Sequence, residues 1–400
     1  MTRAPSENPP VLAGRTVLQI VPDLEAGGAE RTTVDIAAAL VKAGARALVA
    51  TTGGRLVPEL EAAGGTHIAF PAATKNPARI LANAGALSRL IRREGVDLVH
   101  ARSRAPAWSG LIAARRTGVP FVTTYHGAYR SVGRLKNFYN GVMARGDVVI
   151  ANSGFTQALI LKRHPQAEGR TRVVYRGTDL SRFDPAAVAP ERVAAMRRAW
   201  GVAADRKVVL LPARLTSWKG QEVLIDAAGN LAAAGRMDFD VVLAGDEQGR
   251  TGYRDRLVDR MLKAGLGHRV RIVGHVEDVP AALAAADVVT TPSTEPEAFG
   301  RSAAEAQAMG KPVVVSDIGA VRETVLAPPE ATEEARTGWR VPPSNALGLA
   351  QALNQALDLE PEAARAMGAR GRAHVLSLFS LERMVAETLG IYRELLGPRP

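Results

Sequence analysis

The sequence predicts an α/β protein built from two doubly wound parallel-sheet domains of similar size. Three observations predict it. Short apolar runs alternate with helical patterns from end to end, the signature of βαβ units. The alternation comes in two series, separated by the proline- and alanine-rich stretch SRFDPAAVAP at 181–190. The length of 400 residues, 46% of them hydrophobic, exceeds what one core usually serves and suffices for two.

The elements follow in order. MTRAPSENPP lacks the apolar core of a signal peptide, and residues 1–14 read as a disordered lead. TVLQIV at 16–21 is a buried strand, Thr32 to Ala43 a helix ended by Gly44, and ALVAT at 47–51 the next strand before the Gly53-Gly54 turn. DLVHA at 97–101, FVTTYHG at 121–127 and DVVIANS at 147–153 complete the strands of a domain spanning 15–185. A second domain, 190–378, takes its strands from VVLLPAR at 208–214, FDVVLAG at 239–245, RVRIVGH at 269–275, DVVTTPS at 287–293 and PVVVS at 312–316. FSLERMVAETLGIYRELLG, 379–397, carries apolar residues at helical spacing, so 379–400 is a terminal helix that must dock on a domain.

Composition excludes several classes. The chain has no cysteine, so it forms no disulfide framework and no thiolate metal site. No apolar run approaches the length needed to span a bilayer. A net charge of +11 favours anionic partners. Aromatics are only 4%, and no zinc-finger, RNA-recognition or basic-zipper pattern occurs. Nucleic acid is thereby disfavoured, and an anionic membrane surface or a phosphate-bearing small molecule remains. The stretch 128–146 mixes Arg130, Arg134, Lys136 and Arg145 with Leu135, Phe138, Tyr139, Val142 and Met143. It reads as a basic amphipathic helix suited to such a surface, or equally as a core-packing helix with a solvated basic face.

The segment EPEAFGRSAAEAQAMGKPVVVSD, 295–317, holds Glu297 and Glu305 with seven residues between them. Phe299 and Gly300 break the chain after the first, and Gly310 and Pro312 stop it before an apolar strand. Both carboxylates can face a ligand at the carboxyl edge of a sheet, where vicinal hydroxyls of a sugar or ribose would find paired acceptors. By spacing alone, a solvated helix residue and a helix-dipole partner are the simpler account. Gly27 and Gly28 follow the first strand and open the first helix, where free amides can meet a phosphate, although the dinucleotide fingerprint G-x-G-x-x-G is absent. Arg214 and Lys219 leave a strand's carboxyl end and can clamp a diphosphate, or are two surface cations. His126 ends one strand and Asn152 and Ser153 the next, so both can present polar groups to one edge, although His126 reads equally as a satisfied structural histidine. Gly245 and Asp246 sit at the ligand-binding end of their strand. The Asp238–Asp240 triplet sits at the wrong end for a metal-diphosphate site.

Taken together, these residues resemble the retaining glycosyltransferases of family 4, which have the GT-B fold: two Rossmann-like domains facing across a cleft, with a C-terminal helix crossing back to the first. The likeness covers about 15–395 and is strongest over 269–342. There the GH at 274, AADVVTTPS, the Glu297–Glu305 segment, GAVRETV and TGWRVPP follow in order. The resemblance implies that Glu297 holds hydroxyls of the donor sugar and Glu305 the nucleotide ribose. It implies that Arg214 and Lys219 bind the diphosphate, joined by the Gly27-Gly28 loop. His126 would lie near the sugar's C6 hydroxyl, and the backbone of Phe299 and Gly300 would contact the donor, with Asn152, Gly245 and Asp246 nearby. Arg176-Gly177 stands where many members have Asn-Gly, and residues 327–336 lengthen a loop. The implied function is metal-independent, retaining transfer of a hexose from a UDP- or GDP-linked donor, with no cofactor. The acceptor would be a cell-envelope glycan such as a lipopolysaccharide core, met in the cytoplasm or on the inner face of the membrane. A nucleotide-sugar epimerase of the same fold, or a module that binds sugar nucleotides without turnover, are the competing readings.

Overall fold

The computed structural model describes residues 12–25, 27–127, 133–249 and 251–398. The chain forms two compact units. One comprises the residues up to Tyr175 together with those from Glu382 onward, and the other is Arg176–Leu381. The division at Tyr175 falls upstream of the proline-rich 181–190 stretch. That stretch lies inside the second unit, where Asp184 accepts from Arg372 at 3.3 Å.

The first unit is a seven-stranded sheet. Its strands are β1 (Thr16–Ile20), β2 (Arg46–Thr51), β3 (Thr66–Ala69), β4 (Leu98–Ala101), β5 (Phe121–Tyr125), β6 (Val148–Ala151) and β7 (Thr171–Val173). They lie in the order β3-β2-β1-β4-β5-β6-β7, with every pairing parallel. Strand order reverses between β1 and β4, the place where open sheets of this kind offer a crevice. Strands β1, β4, β5 and β6 are buried throughout because helices cover both faces, and Leu18, Ile20, Val99 and Phe121 join one core.

The second unit has six strands: β8 (Lys207–Pro212), β9 (Phe239–Ala244), β10 (Val270–Gly274), β11 (Val288–Thr291), β12 (Val313–Ser316) and β13 (Gly338–Val341). They are ordered β10-β9-β8-β11-β12-β13, again all parallel, with the reversal between β8 and β11. Its core gathers Val209, Leu211, Val241, Leu243 and Val314. Full burial of each such side chain is worth roughly 1.5–3 kcal/mol.

The sequence reading omits β3, β7 and β13. All three are edge strands, three or four residues long. β3 is only half-buried, so its apolar signal is weak.

The helix Leu381–Leu396 packs in the first unit from Glu382 onward. Its apolar stripe of Met384, Ile391 and Tyr392 is buried, and Arg15 donates to the Leu396 carbonyl at 3.2 Å. The Tyr392 hydroxyl lies 2.5 Å from His100 Nδ1, and His100 Nε2 lies 2.7 Å from Thr124 Oγ1. Burial first, then the Arg102 and His126 charges, hold the His100 pKa well below its usual range.

The 128–146 stretch is not one amphipathic helix. Residues 128–132, Arg130 among them, lie outside the described residues. The rest forms a short helix, Arg134–Asn140, and a 3-10 turn, Gly141–Ala144. The apolar residues divide accordingly: Val142 and Met143 are fully buried, whereas Leu135 is 87% and Phe138 60% exposed. Phe138 stacks on Trp108 at 5.1 Å between ring centroids, and the Arg145 guanidinium lies over both rings.

Candidate active site

In the second unit the carboxyl ends of β8, β9 and β11 bring most of the predicted residues to one edge. Chain packing there is close. Gly220 has a φ of +75°, and a Cβ on it would fall 1.8 Å from the Pro292 carbonyl oxygen, so only glycine lets the loop after β8 reach the loop after β11. Thr294 N then donates to the Trp218 carbonyl at 2.8 Å. The result places Lys219 Nζ 2.5 Å from Glu297 Oε1, where Ser293 Oγ also donates at 2.6 Å. The ammonium also lies over the Trp218 ring, 4.2 Å from its centroid, which favours the cation further. Glu297 is fixed from behind by its backbone, which bridges Gly319 and accepts from Ala320 N at 2.8 Å.

Glu305 lies inside the helix Arg301–Ala308 and is 8% exposed. Arg301 Nε donates to its Oε1 at 2.7 Å. Gly300 caps that helix in a left-handed conformation. The Phe299 ring is core, packed edge-on to Phe379 at 5.2 Å, so only its backbone is on offer to a ligand. Ser302 Oγ donates to the Pro212 carbonyl at 3.0 Å, tying the start of this helix to the end of β8.

Arg214 is exposed just beyond β8. Its backbone carbonyl is held by the buried Gln221 amide at 2.9 Å, and its guanidinium reaches Gln248 at 3.4 Å. Gly245 serves packing: a Cβ there would lie 2.0 Å from the Ala213 carbonyl oxygen. Asp246 turns its carboxylate onto Gln248 N at 2.8 Å and so shapes the loop after β9. Asp238 pairs with Arg236, and Asp240 is buried between Arg206 and Arg271 at 2.9 and 3.1 Å. The D-x-D triplet is thus consumed by structural ion pairs at the amino end of β9. Among the described residues no three of His, Cys, Asp and Glu are grouped to hold a metal ion.

In the first unit, Gly27 is the N-cap of the helix Gly28–Lys42, which begins four residues before the predicted Thr32. The Glu30 carboxylate folds back against Gly27, where it meets the positive end of the helix. His126 and Asn152 are the residues next along β5 and β6 after the register pair Tyr125 and Ala151, which sets them side by side at the carboxyl edge. Asn152 is 3% exposed, and among the described residues neither polar atom of its amide has a hydrogen-bond partner. Ser153 caps the helix Gly154–Arg163 by accepting from Thr156 N at 3.0 Å.

Sequence reasoning missed Ser293 and Arg301. A serine directly beyond a buried strand, four residues before a site glutamate, was the available signal for the first. The i,i+4 spacing of Arg301 and Glu305 was the signal for the second.

Known families and solved structures match the chain along most of its length. The family model described as Glycosyltransferase Family 4 matches residues 26–182, and that described as Glycosyl transferases group 1 matches 193–374. The D-inositol 3-phosphate glycosyltransferase of Salinispora tropica is 30% identical, over 92% of this chain and 81% of its own. The crystal structure of a glycosyltransferase from Rickettsia africae superposes with a TM-score of 0.87 at 34% identity, covering 96% of this chain and 99% of that one. Anabaena Alr3699/HepE, solved in complex with UDP-glucose, gives a TM-score of 0.80 at 26% identity, covering 94% and 99%.

Proposed function

The chain belongs to glycosyltransferase family 4 and has the GT-B fold, and on that premise we propose that it transfers a hexose from a nucleoside diphosphate sugar with retention at the anomeric carbon. The contact of Lys219 and Ser293 with one oxygen of Glu297 carries this reading. It presents a cation for a leaving diphosphate beside a carboxylate whose other oxygen is open to a sugar hydroxyl. Arg214 adds a second cation, and preorganised charge of this kind, set where negative charge develops, is a large term in catalysis. Glu305 takes the ribose. Glu297 acts as a hydroxyl acceptor rather than a nucleophile, which leaves the departing phosphate to take the acceptor's proton on the same face.

UDP-glucose is the first donor to test, since Alr3699/HepE was solved with it. Lys219→Met is expected to lower kcat/KM by about 10²–10³, the effect of losing one preorganised donor. Full activity in that variant would overturn the assignment. Product NMR reads the anomeric configuration, and activity that survives EDTA is expected if the two cations carry the diphosphate charge. Isomerised donor without acceptor would instead identify an epimerase.

The acceptor we propose is an envelope glycan met at an anionic membrane surface. Exposed Leu135 and Phe138 stand beside exposed Arg134 and Lys136, an apolar and basic combination that suits a lipid headgroup layer. No helix among the described residues is long and apolar enough to cross a membrane. Flotation with anionic vesicles at moderate salt is expected to carry the protein, and Arg134→Glu with Lys136→Glu to release it. A second reading is a soluble phosphate-bearing acceptor, which the name of the Salinispora relative, a D-inositol 3-phosphate glycosyltransferase, favours. Turnover with an inositol phosphate and no flotation would select it.

A further inference from the structure

The second unit holds a cavity of about 760 Å³ at the sheet edge opposite Lys219 and Glu297. It opens where Gly310 and Lys311 lead into β12, beside Ala284 ahead of β11, and the helix Pro190–Ala199 forms its outer wall. Val188, Val193, Val202 and Met309 make its lining apolar. Its polar contribution is cationic: Arg197, Arg198 and Lys311 line it, and no acidic side chain does.

Each cation retains unused donor capacity. Lys311 Nζ has three donors and gives one to the Ala284 carbonyl at 2.7 Å. Arg197 spends its terminal nitrogens on carbonyls of Ala285, Ala203 and Arg206, and its buried Nε has no partner among the described residues. The Arg198 guanidinium makes no hydrogen bond or ion pair among the described residues. The nearby carboxylate is Asp287, 3.7 Å from Arg197, and it also accepts from Val208 N. Burial pushes the Lys311 pKa down, with Asp287 opposing and Arg197 adding to the shift.

We infer that this cavity binds a small amphiphilic anion, an aliphatic chain ending in one carboxylate or phosphate, with the chain along Val193 and Met309 and the head at Arg198 and Lys311. The volume lies within the range of small-molecule sites, about 300–1,000 Å³, and such sites are mostly apolar with a few placed polar groups. Charge complementarity selects an anion, and the lack of any lining acid excludes a cation. The site is separate from the transfer chemistry and does not depend on it.

The test is isothermal titration of the full chain with dodecanoate and with dodecyl phosphate below their micelle concentrations, and with dodecanol as the neutral control. Saturable one-to-one binding of at least one anion is expected, with dodecanol at least about tenfold weaker, as loss of a charge-assisted hydrogen bond implies. Ala194→Trp, which fills the cavity from an exposed helix position, and Arg198→Glu should each weaken binding about tenfold or more. Both should leave the melting temperature and UDP binding unchanged. Absence of saturable binding, equal binding of dodecanol, or binding unaltered in both variants would overturn the proposal. An acidic peptide that bound where neither amphiphile did would overturn it as well.

Discussion

At the scale of single residues, the two motif glutamates share a device. Oε1 of Glu297 is held by Lys219 and Ser293, and Oε1 of Glu305 by Arg301, while the second oxygen of each makes no hydrogen bond among the described residues. One oxygen fixes the carboxylate plane and the other can accept a ligand hydroxyl. Removing a tether should therefore loosen donor binding more than it slows chemistry. Arg301→Leu is expected to raise the donor KM several-fold with kcat nearly kept, and to narrow the preference for ribose over 2′-deoxyribose donors. Ser293→Ala removes a buried hydrogen bond to a charged group, worth about 1.5–3 kcal/mol, and should cost about tenfold or more in kcat/KM. Steady-state kinetics with both donor forms checks each outcome. The glutamates themselves were legible as a spacing set in an ordered motif series. Their tethers were not, because Ser293 and Lys219 meet Glu297 only after two separate loops pack together.

Among the elements, central strands announced themselves and edges did not. A strand such as Val313–Ser316, buried on both faces, reads as a continuous apolar run, whereas Thr66–Ala69 is half-solvated and reads as loop. The basic stretch around Arg134 misled for a related reason: apolar spacing at 135, 138, 139, 142 and 143 is helical, yet burial falls only on the second half. The C-terminal helix was legible from its stripe, but its polar anchor, Tyr392 with His100, was not. That anchor predicts a pH response. His100 is held neutral, with a pKa below that of the unfolded chain, so the unfolded state binds more protons below about pH 6.5. Stability present above that pH is lost as the pH falls through it, by at most about 1.4 kcal/mol per pH unit for one group. Denaturant melts from pH 7.5 to 5.5 should show the decline, and His100→Gln should flatten it. A slope unchanged in that variant would assign the decline to other groups.

The whole molecule is two sheets of the same winding, each reversing strand order once, between β1 and β4 and between β8 and β11. This was legible because the alternation of apolar runs and helical patterns repeats twice. The composition shift at 181–190 falls at the junction of the two family matches, which end at 182 and begin at 193, while the compact units divide at Tyr175. The first unit also takes its last helix from the far end of the chain. Deleting residues 382–400 would strip Tyr392 from a buried site and leave His100 and Arg102 without it. A protein truncated after Leu381 is expected to lose protease resistance in residues 12–175 while Arg176–Leu381 stays resistant. Limited proteolysis with mass spectrometry reads the two outcomes apart.

That borrowed helix imposes an order on biosynthesis. A ribosome delivers the first sheet long before the segment that completes it, and everything in between must emerge first. The nascent first unit waits with the groove for Met384, Ile391 and Tyr392 uncovered, an apolar surface that holdase chaperones would shield. The second unit, continuous in sequence, needs no such wait. Maturation of the first unit therefore waits on synthesis of the helix that begins at Leu381, which follows the whole of the second unit.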